Sequence, residues 1–194
     1  MKRLLAAAIL LFLTLGAARA QVLEKPAVLV AQSDLQGIYS RTVLLVVPAA
    51  NGQHLGFILN RATDVKLGNL FPEHEPSAKV VDPVYFGGPE MMQSIFAIVR
   101  RDPGGQALHL FGNLFVTGSA VAVDQIIEQT PNDARYFAGF VGWQRGELAK
   151  EIESGYWHVT EPDEKLPWQE PAGMWEELLK RVGERPGRGR QLQV

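Results

Sequence analysis

The chain has 194 residues, 19 of them basic and 21 acidic, and no cysteine. Without cysteine there are no disulfide staples, no thiol catalysis, no thiolate metal site and no lipid attachment at an N-terminal cysteine. Leaving out Lys2, Arg3 and Arg19 of the N-terminal segment, 16 basic residues face 21 acidic ones, a net charge of −5 that gives no general attraction to nucleic acid.

The chain opens on a predicted export signal. Lys2 and Arg3 precede an apolar run over 4–15, and Ala18-Arg19-Ala20 has the small-residue form of a cleavage site. A membrane anchor is the competing reading, but the run falls short of the roughly 20 apolar residues a spanning helix needs. The expectation is a signal peptide over 1–20, one domain over 21–183, and a disordered basic tail over 184–194. The mature protein would then be periplasmic or secreted, with no stable membrane insertion.

Branched aliphatic runs at 27–31 and 42–48 predict buried strands, separated by a polar segment containing Gly37. Asn51-Gly52 is a turn signal that joins the second run to 54–60 as an antiparallel hairpin. Residues 66–71 predict one helical turn, and 72–83, with Pro72, Pro76 and Pro83, a surface loop. Val84-Tyr85-Phe86-Gly87-Gly88-Pro89 is a short strand that must stop abruptly, since proline cannot continue a central ladder. At least one of Gly87 and Gly88 is expected to hold φ > 0 or to have another backbone pressed against its missing Cβ.

Strands are predicted at 95–100, 107–110 and 114–117, followed by a helix with Ser119 as its cap. Ala122, Val123, Ile126 and Ile127 fall on one stripe of that helix. A strand at 135–141 is followed by a helix at 144–154, stopped by Gly155, and a third helix covers 174–182. Strands that mostly follow one another, with helices gathered late, give an α+β class with a largely antiparallel sheet and about three helices.

No catalytic signature is present. Ser119 lacks the G-x-S-x-G context, and His54, His74, His109 and His158 form no i,i+3 or i,i+4 ligand pair. Glu73-His74-Glu75 reads as a solvated loop, because adjacent residues converge poorly on one ion, so neither metal nor cofactor is expected. Arg61, after Asn60, is suited either to hold a carboxylate or to pin a loop through an internal ion pair. Trp143 reads as a core residue, with the floor of a pocket as the alternative. Glu147 is explained by the helix dipole. The tail arginines Arg181, Arg185, Arg188 and Arg190 read as solvated.

Taken in order, Arg41-Thr42-Val43, the run Gly56-Phe57-Ile58-Leu59-Asn60-Arg61, the Gly87-Gly88-Pro89 turn, Thr117-Gly118-Ser119 and the run over 139–148 resemble the YqgE/AlgH family of bacterial proteins. The resemblance covers roughly 28–182 and implies a compact fold with a strongly bent, barrel-like sheet. Some members are labelled transcriptional regulators, without a recognised DNA-binding motif. This chain departs from the family in having Gln36-Gly37 where Asp-Pro is usual, Val99-Arg100 where Leu-His is frequent, and a signal peptide.

The expectation is an exported, non-enzymatic binding protein for a protein or small-molecule partner, with no nucleic acid bound. Its groove would lie near Asn60, Arg61, Gly87, Gly88 and Trp143. The alternatives are a DNA-binding regulator and a hydrolase whose nucleophile the sequence does not identify.

Overall fold

The computed structural model describes residues 23–183. The predicted signal peptide, the tail 184–194 and Arg185, Arg188 and Arg190 lie outside them. The branched aliphatic runs form β1 (Ala27–Ala31) and β2 (Val43–Pro48), and all of β1 is buried. The predicted hairpin leads into β3 (His54–Ile58), paired from Pro48↔His54 to Leu44↔Ile58. Its tip holds Asn51 at φ 58° and Gly52 at φ 75°, the mirror-image turn whose twist suits antiparallel strands. Gln53 N–H closes that turn on the Ala50 carbonyl at 3.2 Å.

Next come β4 (Ala62–Lys66), the single-turn helix α1 (Leu67–Leu70) and β5 (Pro83–Phe86). β6 (Glu90–Val99), β7 (Leu108–Phe111) and β8 (Leu114–Thr117) follow, then α2 (Ala120–Gln129) and β9 (Ala134–Trp143). The chain continues through α3 (Glu147–Glu153) and β10 (Trp157–Thr160) to α4 (Met174–Arg181). The class is α+β, and the four helices among the described residues include the one-turn α1.

The strands make one ten-stranded sheet, ordered β10-β1-β2-β3-β9-β6-β8-β7, with β5 also on β9 and β4 on β5. It curls into a half-barrel, antiparallel except for β5 against β9. Alternation along the strands separates two cores. Ile98 and Phe137 join β1, β2, β3 and α4 on one face, while Ala97, Val99 and Tyr136 meet the α2 stripe on the other. All four predicted stripe residues of α2 are buried, and Val123, Ile126 and Ile127 belong to that second core.

The Gly-Gly-Pro turn holds the sheet together. β5 lies beside β9 on the same edge as β3, and β6 lies on the opposite edge. Residues 87–89 therefore step across β9 where Gly139 sits at φ 70°. Gly87 N–H donates to the Ala138 carbonyl and its own carbonyl accepts from Ile58 N–H, both at 2.9 Å. A Cβ on Gly87 would overlap the Gly139 carbonyl, and one on Gly88 would overlap the Phe140 main chain. Two peptide planes cannot pass this closely with a side chain between them, so the expected close approach is met at both glycines. Phe57, Phe96, Phe137 and Phe140 pack around the crossing with ring centroids 5.5–5.7 Å apart in successive pairs.

Several elements differ from expectation. β4 and β10 have no strong aliphatic pattern; β4 is an almost wholly exposed edge strand, and β10 spans four residues. α3 starts at Glu147, because 144–146 form a turn in which the Glu147 carboxylate accepts from Gln144 N–H at 2.8 Å. Ser119 stands at the α2 N-cap, but its hydroxyl makes no cap bond. The expected loop over 72–83 contains a 3-10 turn at Glu75–Lys79, with Ser77 and Val80 buried.

Candidate functional site

Asn60, Arg61, Gly87 and Gly88 gather where the crossing meets β2 and β3, and the polar side chains there are held by main chain. Asn60 Oδ1 accepts from Val43 N–H and its Nδ2 donates to the Arg41 carbonyl, both at 2.9 Å, extending the β2 ladder by one side chain. Arg61 donates to the carbonyls of Ile38 (2.8 Å) and Ser40 (3.1 Å), so it pins the 37–41 loop through main-chain oxygens and not through an ion pair. Trp143 lies apart from this group at the far end of β9, buried, with its ring against Gly56. Its indole N–H and that of Trp157 both donate to Glu151 Oε2, at 2.9 and 2.8 Å. That pairing is a core polar lock, as expected of a buried tryptophan with one donor to satisfy.

A concave site lies elsewhere, on the α2 side. A cleft of about 590 Å³ opens between α2, the start of β6 and the 71–77 segment. Phe71, Ile95, Val121, Val123 and Ile127 form its apolar wall, with Gln93 and Ser94 at its edge. The register explains that edge. Glu90 pairs with Phe140 and Ile95 with Ala138, so 91–94 bulge out opposite Gly139 alone. The bulge carries Met91, at φ 51°, and Met92, both exposed, while Phe71 and Val121 (69% exposed) are also uncovered.

His74 sits at the mouth of this cleft. Its Nδ1 is 2.7 Å from Ser77 Oγ, and its Nε2 is 3.1 Å from Asp124 Oδ1 without hydrogen-bond alignment. The order Ser–His–Asp resembles a nucleophile with its base, but Ser77 is wholly buried and hydrogen-bonded within its own turn. A nucleophile must reach the reacting carbon, so this hydroxyl orients the imidazole and does not attack. Glu128, one turn beyond Asp124, completes a group of three ligand atoms within 4.8 Å of one another. The sequence reading took Glu73-His74-Glu75 as a solvated loop; the fold brings His74 against an acidic face of α2. The readable signal was the i,i+4 spacing of Asp124 and Glu128 opposite the apolar stripe.

A second, more polar cleft of about 580 Å³ lies between α2 and the β6–β7 turn, lined by Arg100, Arg101, Gln125, Gln129 and Trp168. Arg100 stacks 4.2 Å from the Trp168 ring centroid. Beneath it the buried Arg135 hydrogen-bonds the Tyr85 hydroxyl and lies 3.5 Å from Asp82. Burial raises the Tyr85 hydroxyl above the ordinary tyrosine value despite the nearby guanidinium.

The chain is similar to known proteins over most of its length. The AlgH-like family model matches residues 28–187. A UPF0301 protein of Chlorobium phaeobacteroides is 28% identical over 154 residues, covering 77% of this chain and 81% of the relative. A UPF0301 protein of Mycobacterium ulcerans is 30% identical over 175 residues, covering 84% of each chain. The solution structure of the AlgH protein from Pseudomonas aeruginosa superposes with a TM-score of 0.68 at 19% identity, covering 82% of this chain and 89% of that one. Protein DIP2367 of Corynebacterium diphtheriae gives 0.64 at 25% identity, over 81% and 86%.

Proposed function

Since the chain belongs to the AlgH-like family, we propose that it is an exported, non-enzymatic member that binds an apolar segment of a partner in the α2–β6 cleft. The observation that carries this reading is the cleft wall of Phe71, Ile95, Val121, Val123 and Ile127 beside the exposed pair Met91-Met92. Apolar walls with a few convergent polar groups are the usual form of a binding site, and methionine adapts to varied partner shapes. Export is supported by the basic start, the apolar run and Ala18-Arg19-Ala20. The Asn60, Arg61 and Gly87-Gly88 junction supports the cleft indirectly, by fixing the crossing from which the 91–94 bulge emerges.

The test is site-specific photo-crosslinking in living cells, with the photoreactive residue at Val121 and, as control, at exposed Lys150 on α3. The expected result is a discrete adduct from Val121 that disappears when Phe71→Ser is added. Equal crosslinking from both positions, or none from Val121, would overturn the cleft as the binding surface.

A further inference from the structure

We propose that His74, Asp124 and Glu128 bind a divalent transition-metal cation at the mouth of the α2 cleft. The three come from two elements that pack together. His74 precedes the 3-10 turn Glu75–Lys79, and Asp124 and Glu128 lie one turn apart on α2. One imidazole and two carboxylates are a donor set suited to zinc and its first-row neighbours.

The separation of one donor pair fits two ligands of a single ion. Two donors about 2.05 Å from a tetrahedral zinc stand about 3.3 Å apart, and His74 Nε2 is 3.1 Å from Asp124 Oδ1. The same separation fits a hydrogen bond, but the angle does not, and Nε2 has no hydrogen-bond partner although the atom itself is buried. The other ring nitrogen is already engaged. Ser77 Oγ, fixed in the same turn, holds Nδ1 at 2.7 Å, as outer-shell partners of metal-bound histidines do. That hold leaves Nε2 facing the Asp124 carboxylate, with Glu128 one turn further along α2.

Charge points the same way. Asp124 and Glu128 repel each other at i,i+4 spacing. A dication neutralises both. Glu73 and Glu75 on either side of His74 add to the negative potential. Three protein ligands leave a coordination position open, and because His74 and Asp124 line the cleft, a partner's carboxylate or carbonyl could complete the shell there. The metal site itself does not depend on what occupies the cleft.

Cobalt(II) titration of the chelator-treated full chain, followed by visible absorption and by calorimetry with zinc competition, tests this. The wild type is expected to bind one equivalent of cobalt, displaced by zinc. His74→Ala and Glu128→Gln should each weaken binding at least tenfold, and Glu73→Gln should stay within twofold. Glu128 is exposed, so Glu128→Gln keeps the test valid if His74→Ala unfolds, with thermal melts reporting folding for each variant. Absence of stoichiometric binding by the wild type, or wild-type affinity in Glu128→Gln or in folded His74→Ala, overturns the site.

Discussion

A Cβ at Gly87 or Gly88 would meet main chain and not a movable side chain, so the surrounding structure cannot yield cheaply. Overpacking alone costs about 1–3 kcal/mol, and here the obstacle is a strand crossing. Gly87→Ala and Gly88→Ala should each lower stability by more than about 2 kcal/mol, read as urea midpoints. Gly104→Ala is the control: φ is 78° there but no atom lies within 4 Å of the missing Cβ, so only the left-handed backbone cost of about 1–2 kcal/mol remains. Equal losses at all three positions would show the crossing to be tolerant. Tyr136 supplies a second residue-scale test. Burial first, then Asp133, raises its hydroxyl well above the ordinary value, and burial raises Tyr39 and Tyr85 too. A pKa higher in the folded state than in the unfolded one gives stability that is complete below about pH 10 and lost as pH climbs above it. Stability should therefore fall in alkali by up to about 1.4 kcal/mol per pH unit for each such tyrosine. Tyr136→Phe should make that fall shallower above pH 10, and an unchanged slope would remove Tyr136 from the account.

At the scale of elements, α4 shows how a short helix is held in register. Its first turn buries Met174 and Trp175, and the Trp175 indole N–H donates 2.8 Å to the Ala31 carbonyl at the end of β1. Arg41 lies over the same ring, 4.7 Å from its centroid, and pairs with Glu176. The surface ion pair contributes little, whereas a buried hydrogen bond that loses its donor leaves a carbonyl unsatisfied. Trp175→Phe should cost about 1–3 kcal/mol, most of it absent from Glu176→Gln. Matching midpoints for the two variants in denaturant would shift the anchor to the ion pair. α2 differs in kind: its apolar stripe is buried, while its other face offers Val121, Asp124 and Glu128.

For the whole molecule, the acidic balance of the chain beyond Arg19 and the absence of a helix-turn-helix pattern argue against a groove reader. Fractionated cells should yield a soluble envelope protein whose N-terminus, by Edman sequencing, is Gln21. Intact Met1 in the cytoplasm would overturn export and restore the regulator reading. Mobility shifts should show no sequence-specific DNA binding at moderate salt, with or without 184–194.

The sequence by itself determined the family, the α+β class, the central strands and the α2 stripe, because aliphatic runs, a period of 3.6 and Asn-Gly or Gly-Gly-Pro turns are local signals. The same locality made the close approach at Gly87-Gly88 readable before its partner was known. Only the tertiary structure decided that the partner is β9 at Gly139, since a chain crossing joins residues some fifty positions apart. Edge strands β4 and β10 escaped for related reasons: the mostly exposed side chains of β4 carry no alternation, β10 has only four residues, and backbone pairing leaves no mark on residue type. The candidate site was hidden in the same way. Asn60 and Arg61 have the chemistry of ligand residues, but the fold gives their polar atoms main-chain partners. His74 has two acidic neighbours in sequence, yet the folded helix brings it Asp124 and Glu128, because α2 packs its stripe on the sheet and so turns that acidic face toward the 74–77 turn.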